Sequence, residues 1–229
     1  MTRSSTTPDP RSALLAGASG LVGRSLLVLL LESPRYAHVH VLLRRTVPDF
    51  PAHPKLKVHI VDFDRLPALP AVDDVFIALG TTIKAAGSQA AFRRVDFDAV
   101  LNTARAGRAA GAQRLLVVSA LGADPGSRVF YNRVKGEMQQ AVVALGYASV
   151  VIAQPSLLVG DRAALGQPSR AGEEWAKRLV RPVLGWIPRG VRPIGADVVA
   201  RALLGAALQP APGVTLLRSG DMQAAPASA

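Results

Sequence analysis

The sequence has no cysteine in its 229 residues and few aromatic side chains. The lack of cysteine excludes disulfides, zinc–thiolate sites and a cysteine nucleophile. A net charge of +11, with 22 Arg and 5 Lys, is compatible with nucleic acid or an acidic ligand. However, aromatic residues make up only 5% of the chain and no basic run exceeds two residues, so the pattern argues against nucleic-acid binding.

Long apolar runs are also missing. The longest purely aliphatic stretch, residues 26–31, is far shorter than the roughly 20 residues that cross a bilayer. Residues 1–10 are polar and lack the charged and apolar regions of a signal peptide. From these two features we expect a cytoplasmic protein without a membrane segment.

Several chemical motifs are absent as well. The chain contains no G-x-x-x-x-G-K-[ST] phosphate loop and no G-x-S-x-G nucleophile elbow, which argues against a P-loop nucleotidase and a serine hydrolase. His38 and His40 alternate along one predicted strand, but no third ligand accompanies them. We therefore predict no metal site.

Apolar strand-like segments alternate with helical periodicity along the chain. Strands are predicted at residues 12–16, 39–43, 56–61, 73–79, 114–118, 148–153 and 214–217. Helices are predicted at residues 21–31, 90–110, 128–145, 173–184 and 197–208, the last with Asp197 as its N-cap. This alternation predicts an α/β fold, a Rossmann-type doubly wound parallel sheet with a small C-terminal substrate lobe.

The same pattern indicates the domain organisation. Residues 12–220 form one predicted domain, within which residues 155–220 build the substrate side. Residues 1–11 and 221–229 are predicted as flexible tails.

A glycine-rich turn joins the first predicted strand to the first helix. In its G-x-x-G-x-x-G spacing, Gly17 permits the tight turn, Gly20 lets a pyrophosphate approach the backbone, and Gly23 lets helix and strand pack closely. The helix N-terminus offers N–H groups and a positive dipole to phosphates. These features predict a dinucleotide site that also includes Ser19, Leu21 and Val22.

The ends of the next strands predict how the dinucleotide is recognised. Arg44 and Arg45 stand where an acidic residue would bind the ribose of NAD, so they favour the 2′-phosphate of NADP, with Arg44 the better candidate. Asp62 is predicted to accept from the adenine amino group and Phe63 to cover the ring, although both are compatible with an ordinary turn. The small residues after the fourth strand, Gly80, Thr81 and Thr82, would pass close to the cofactor, and Leu79 at the end of that strand is predicted to contact it as well.

A catalytic group is predicted in the middle of the chain. Tyr131 and Lys135 lie four residues apart on a predicted helix and therefore share one face. An ammonium group favours the phenolate form of a nearby tyrosine, which suits Tyr131 to act as a general acid or base at a carbonyl oxygen. Ser119, at the end of the fifth strand, is placed to hydrogen-bond the same oxygen, and Lys135 can also hold the nicotinamide ribose.

Together these segments resemble the short-chain dehydrogenase/reductase superfamily, and more narrowly its atypical branch with the Tat-interactive-protein oxidoreductases. The resemblance runs through GASGLVGR at residues 17–24, ALGTT at 78–82, AFRRVD at 91–96, YNRVKGEM at 131–138 and QPSLLVGDR at 154–162.

The resemblance implies an NADP(H)-binding fold and a nicotinamide pocket lined by Pro155, Ser156 and Leu157. Relatives tend to carry Arg where this chain has Gln154, which puts the substrate class in question. Lys84 and Arg162 are expected near the pocket, either as anion-binding groups or as solvated surface charges.

Two functions follow as hypotheses. The first is an NADP(H)-dependent reductase of a small carbonyl compound or quinone, with NAD(H) the less favoured cofactor. The second is an NADPH-binding regulator or redox sensor with little turnover, which leaves room for a protein partner. The sequence indicates neither the substrate nor the oligomeric state.

Overall fold

The computed structural model describes residues 10–159 and 190–224. Their centre is a parallel seven-stranded sheet. Its strands are β1 (Arg11–Ala16), β2 (Tyr36–Leu43), β3 (Leu56–Ile60), β4 (Asp74–Ile77), β5 (Arg114–Val118), β6 (Ser149–Gln154) and β9 (Gly213–Arg218), and a separate pair joins β7 (Leu158–Val159) to β8 (Ile194–Gly195). The strand order across the sheet is β3-β2-β1-β4-β5-β6-β9, and the predicted Rossmann-type α/β fold is confirmed.

Helices cover both faces of the sheet. They are α1 (Leu21–Glu32), α2 (Ile83–Ala86), α3 (Gln89–Arg93), α4 (Val100–Ala109), α5 (Phe130–Val143), α6 (Ala196–Leu208) and α7 (Ser219–Ala224). A π-helical turn, Arg94–Ala99, joins α3 to α4, so the single helix predicted over residues 90–110 is interrupted at its centre. No helix within residues 10–159 and 190–224 has the length and apolarity needed to cross a membrane.

In the C-terminal part of the chain two sequence predictions differ from the structure, and a third lies outside the described residues. The N-cap of α6 is Gly195, and Asp197 instead forms an i,i+4 ion pair with Arg201 at 2.7 Å. Helix α7 continues to Ala224, into the segment predicted as a tail from residue 221. The helix predicted at residues 173–184 lies outside the described residues.

Two hydrophobic cores lie on the two faces of the sheet. Successive strand residues point to opposite faces, so Leu15 packs with the α1 and α6 side while Leu14 packs with the α4 and α5 side. Because the inner strands of a parallel sheet are buried on both faces, β1, β4, β5 and β6 are nearly continuous in apolar residues rather than alternating, whereas the edge strands β3 and β9 are partly exposed. This property produced the apolar runs from which the strands were predicted.

A buried carboxylate organises the amino-terminal edge of the sheet. Asp74, fully buried at the start of β4, accepts a hydrogen bond of 2.7 Å from the Tyr36 hydroxyl. It also pairs with Arg114 at the start of β5 and, at 3.3 Å, with Arg11 at the start of β1. Burial raises the pKa of Tyr36, and the neighbouring Asp74 raises it further. These contacts join the first residues of four neighbouring strands, β2, β1, β4 and β5.

Two histidines meet across the outer strands β2 and β3. The Nδ1 atom of His40 lies 3.0 Å from the Nε2 atom of His59, and their rings stack with centroids 5.2 Å apart. No cluster of three or more metal-ligating side chains occurs in the described parts of the chain. Partial burial lowers the pKa of His40, and His59 lowers it further.

The lowered pKa of His40 predicts a loss of stability in mild acid. Above pH 6.5, the ordinary pKa of histidine, His40 is neutral in both the folded and the unfolded chain and does not affect the free energy of unfolding. Below this pH the unfolded chain binds a proton at His40 more readily than the folded chain does, so unfolding becomes more favourable. We expect the free energy of unfolding in urea to fall between about pH 7.5 and about pH 5.5, and to fall less steeply in His40→Gln. The exposed His53 provides the control, His53→Gln. Equal pH slopes for wild type and His40→Gln would contradict the prediction.

Candidate cofactor and catalytic site

The glycine turn is held against the end of β4. Gly17 has a φ of +94°, and a Cβ atom there would lie 2.5 Å from the carbonyl carbon and oxygen of Ala78. At Gly23 a Cβ would lie 2.0 Å from the Gly17 carbonyl oxygen. Both positions therefore require glycine, as their spacing predicts, because the backbone of another segment occupies the space of a side chain.

The same turn is open at its outer side. Gly20 is the N-cap of α1, and a Cβ added there would meet only the Gly17 carbonyl oxygen, at 3.4 Å. Ser19 is exposed, whereas Val22 is buried in the core and can offer a ligand only its backbone N–H. The helix N-terminus with an approachable backbone fits the pyrophosphate of a dinucleotide.

The residues predicted to recognise the adenosine half differ in their placement. Arg44 and Arg45 are exposed directly after β2, whose register with β1 pairs Leu42 with Ala16 and so sets them beside the glycine turn. The Asp62 carboxylate accepts the N–H of Asp64 at 2.9 Å and so closes its own turn. Phe63 is only 7% exposed and packs in the core, and its predicted contact with the adenine stays a prediction.

A buried ion pair lies at the carboxyl end of β4. The Lys135 ammonium is 2.7 Å from Oδ1 of Asp96, and the two side chains are 4% and 1% exposed. The Thr81 N–H donates to Oδ2 of Asp96 at 2.9 Å, and a Cβ on Gly80 would lie 3.8 Å from the Lys135 Nζ atom. The structure thus brings Gly80, Thr81 and Lys135 together, with Asp96 as their common partner.

Asp96 is a residue of the candidate site that was not predicted from the sequence. It belongs to the π-helical turn, an irregularity that occurs frequently at functional sites. A signal was present, because Asp96 lies four residues after Phe92 and three before Ala99 on the predicted buried stripe. A carboxylate on an apolar stripe has to be paired, and a lysine is the matching partner.

Ser119 follows β5 and is 5% exposed. Its N–H donates to the Ala153 carbonyl at 2.8 Å, and its Oγ accepts from Nε2 of Gln139 at 2.6 Å. The Oε1 atom of Gln139 in turn accepts from Nε2 of Gln154 at 3.2 Å. The predicted catalytic serine is therefore tied to α5, the helix that also carries Tyr131 and Lys135.

Helix α5 is pressed against the loop that follows Ser119. A Cβ on Gly136 would lie 2.2 Å from the backbone nitrogen of Pro125, so only glycine allows this approach. Tyr131 is half-buried, and its ring centroid lies 5.4 Å from that of Phe92. The phenol is thus held by a ring contact at the start of α5, one turn before Lys135.

The loop after β6 contacts both the loop after β5 and the C-terminal part of the fold. The Pro155 carbonyl accepts the N–H of Leu121, which lies in the loop after β5, at 2.9 Å. The Ser156 hydroxyl bonds to the Arg192 carbonyl and, at 2.9 Å, to Ser219, so this side chain has a structural use. Leu157 is 44% exposed.

The remaining residues predicted near the site add no further contact to it. Thr82 caps α2 by accepting the Ala85 N–H at 3.0 Å, and Leu79 is half-buried. Lys84 is exposed, and Arg162 lies outside the described residues. A cavity of about 200 Å³ lies away from these groups, lined by Arg24, Leu27, Val28, Asp49, Phe50 and Pro51.

Comparison with known proteins defines the class. A family model described as NAD(P)H-binding matches residues 17–158, so the chain belongs to this family. It is 35% identical over 206 residues to "Protein fmp52, mitochondrial" of Aspergillus fumigatus, covering 85% of this chain and 86% of that protein. It is also 35% identical over 157 residues to the Saccharomyces cerevisiae protein of that name, covering 66% and 67% of the two chains.

Solved structures agree on the fold. MoeE5 in complex with UDP-glucuronic acid and NAD has a TM-score of 0.68 at 21% identity, covering 90% of this chain and 75% of that one. The enzyme WbmH of Bordetella bronchiseptica with NAD+ has a TM-score of 0.68 at 14% identity, covering 92% and 76%. The resemblance to an atypical short-chain dehydrogenase/reductase is confirmed at the level of the superfamily, while the Tat-interactive branch stays a prediction.

One expectation is corrected by these relatives. The sequence predicts a cytoplasmic protein, but the similar proteins of Aspergillus fumigatus and Saccharomyces cerevisiae are both named as mitochondrial. The cytoplasmic expectation is therefore wrong. It rested on the polar first ten residues and on the lack of a long apolar run, which carry less information than relatedness over most of the chain.

The ion pair of Lys135 and Asp96 is expected to couple strongly. Asp96→Asn and Lys135→Met should each lower the free energy of unfolding by about 3–5 kcal/mol, because each leaves the other group buried without its counter-charge. The double variant should be less destabilised than the sum, and urea unfolding of all four proteins measures the difference. Asp197→Asn, in the exposed pair with Arg201, should cost less than about 1 kcal/mol. Additive effects of Asp96→Asn and Lys135→Met would contradict the coupling.

Proposed function

We propose that this protein is an NADP(H)-dependent oxidoreductase that reduces a small carbonyl compound or quinone. The observation that carries the proposal is the position of Lys135. Its ammonium reaches Asp96, which accepts the Thr81 N–H in the loop after β4, and the glycine turn packs against the end of that same strand. The turn that fits a pyrophosphate and the helix with the Tyr-x-x-x-Lys pair therefore converge on one strand end, where ligands bind in this type of sheet.

The proposed chemistry divides between cofactor and protein. A bound nicotinamide supplies the hydride that is added to the carbonyl carbon. The Tyr131 hydroxyl donates the proton that the carbonyl oxygen takes up, and the Ser119 hydroxyl holds that oxygen by a hydrogen bond. Lys135, one turn after Tyr131 on α5, would hold the nicotinamide ribose, and Asp96 holds the Lys135 side chain in place. One hydride and one proton together give the alcohol.

The role of Tyr131 is tested by NADPH oxidation with a panel of aldehydes, ketones and quinones. Tyr131→Phe should lower kcat by about 10²–10⁴-fold, because the general acid is lost while the ring contact with Phe92 remains. Tyr147→Phe is the matched control, since its hydroxyl only bonds the Ala104 carbonyl at 2.6 Å. An unchanged rate in Tyr131→Phe would remove this residue from the mechanism.

The preference between cofactors is tested by melting shifts with NADPH and with NADH. At 100 times its dissociation constant a ligand stabilises by about 2.7 kcal/mol. NADPH should give the larger shift, and Arg44→Ala should abolish the difference, because the guanidinium meets the 2′-phosphate. Arg105→Ala, at an exposed position of α4, is the charge-matched control. If the preference survives in Arg44→Ala, the assignment of this arginine fails.

The two experiments also separate the reductase from the alternative. Binding of NADPH without turnover on the whole panel would favour an NADPH-binding regulator or sensor. The relatives are named as mitochondrial, so we propose to search for the substrate of the reductase, or the ligand of the regulator, among mitochondrial compounds.

A further inference from the structure

We propose that Gln139 is a positioning residue that sets the direction of the Ser119 hydroxyl proton, and that Gln154 sets the direction of the Gln139 amide. This inference rests on the proposed function, since it concerns the proton that Ser119 offers to a substrate oxygen. The three side chains come from the end of β5, from α5 and from the end of β6. They form one continuous hydrogen-bonded chain.

The contact at Ser119 is short and shielded. The Oγ atom lies 2.6 Å from Nε2 of Gln139 and the serine is 5% exposed, while both glutamines are half-buried. Gln139 stands four residues after Lys135 on α5 and eight after Tyr131, so the three residues lie along one side of the helix. The helix that carries the proposed acid also carries the group that holds the serine.

The inventory of donors explains what this contact does. A serine hydroxyl has one proton and two acceptor lone pairs, and an amide has N–H donors at one end and an acceptor oxygen at the other. When Gln139 donates to Oγ, it occupies a lone pair and leaves the Ser119 proton available for a carbonyl oxygen. When the amide is reversed, its oxygen takes that proton and the serine has none to offer.

Gln154 selects between these two orientations. Its Nε2 group donates to Oε1 of Gln139 at 3.2 Å, which directs the amide nitrogen of Gln139 toward Ser119. A side chain at position 154 that can only donate should enforce the same orientation. A side chain that can only accept should reverse it. Whether the side chain at position 154 donates or accepts therefore determines, through Gln139, whether the Ser119 hydroxyl proton is available to a substrate.

The test compares three variants by kcat and KM for a carbonyl substrate. Gln154→Arg, which can only donate, should lower kcat far less than Gln154→Glu does. Gln154→Glu and Gln139→Glu place an acceptor where a donor is needed and should approach Ser119→Ala, with kcat lowered by about 10²–10³-fold, as for loss of one donor to a developing oxyanion. The melting shift with NADPH should be the same in all of them, because none of these groups lies at the glycine turn.

A double-mutant cycle separates positioning from a general structural role. In a Ser119→Ala background, Gln154→Glu should cause no further loss of kcat, because no hydroxyl proton remains to be misdirected. A further loss of the same size as in the wild-type background would overturn the proposal. Equal losses in Gln154→Arg and Gln154→Glu would also overturn it, since donor and acceptor would then act alike.

A measurement without turnover keeps this inference distinct from the proposed function. The side-chain amide resonances of Gln139, assigned by their loss in Gln139→Glu, should shift in both Ser119→Ala and Gln154→Glu. If they do not move in Ser119→Ala, the hydrogen-bonded chain is refuted whether or not the protein is an enzyme. If the wild type turns over but Gln154→Glu matches it in kcat, the inference fails and the reductase stands. If none of the carbonyl compounds and quinones on the panel supports NADPH oxidation by the wild type, the proposed function fails, and the role of Gln139 in catalysis fails with it.

Discussion

The buried pair of Lys135 and Asp96 is the interaction on which the candidate site depends. An ammonium with 4% of its side chain exposed needs a counter-charge, and the carboxylate supplies it at 2.7 Å. The second carboxylate oxygen accepts the Thr81 N–H, so one side chain connects α5 with the loop after β4. Without Asp96 the buried Lys135 side chain would have no counter-charge, and α5 would lose its link to the loop after β4.

The carboxyl edge of the sheet is built by close approaches that glycine permits. Gly17 contacts the end of β4, Gly23 contacts the turn that precedes its own helix, and Gly136 lets α5 meet the loop after Ser119. Each removes a Cβ where another backbone passes. The result is a set of short connections in which the nucleotide turn and the helix of the proposed acid are only one strand apart.

Much of this arrangement can be predicted from the sequence because it is local. Apolar runs separated by helical periods define the parallel sheet, and the glycine spacing defines the turn. The differences come from side-chain contacts that hydrophobic periodicity does not report. Asp197 pairs with Arg201 within α6 instead of capping this helix, and the Phe63 ring packs in the core with side chains of α4. The interruption at Asp96 has no signature in hydrophobic periodicity, since a π-helical turn shifts the stripe by only one position.

The opposite edge of the sheet carries the Asp74 group, which shares no residue with the site. Its carboxylate is fully shielded from water, whereas the pairs Arg94–Asp64 and Arg201–Asp197 lie at the surface. Dissolved ions screen surface charges strongly and buried ones weakly. The contribution of the Asp74 group to thermal stability will therefore depend little on ionic strength. Salt will act mainly on the charge pairs at the surface of this arginine-rich protein.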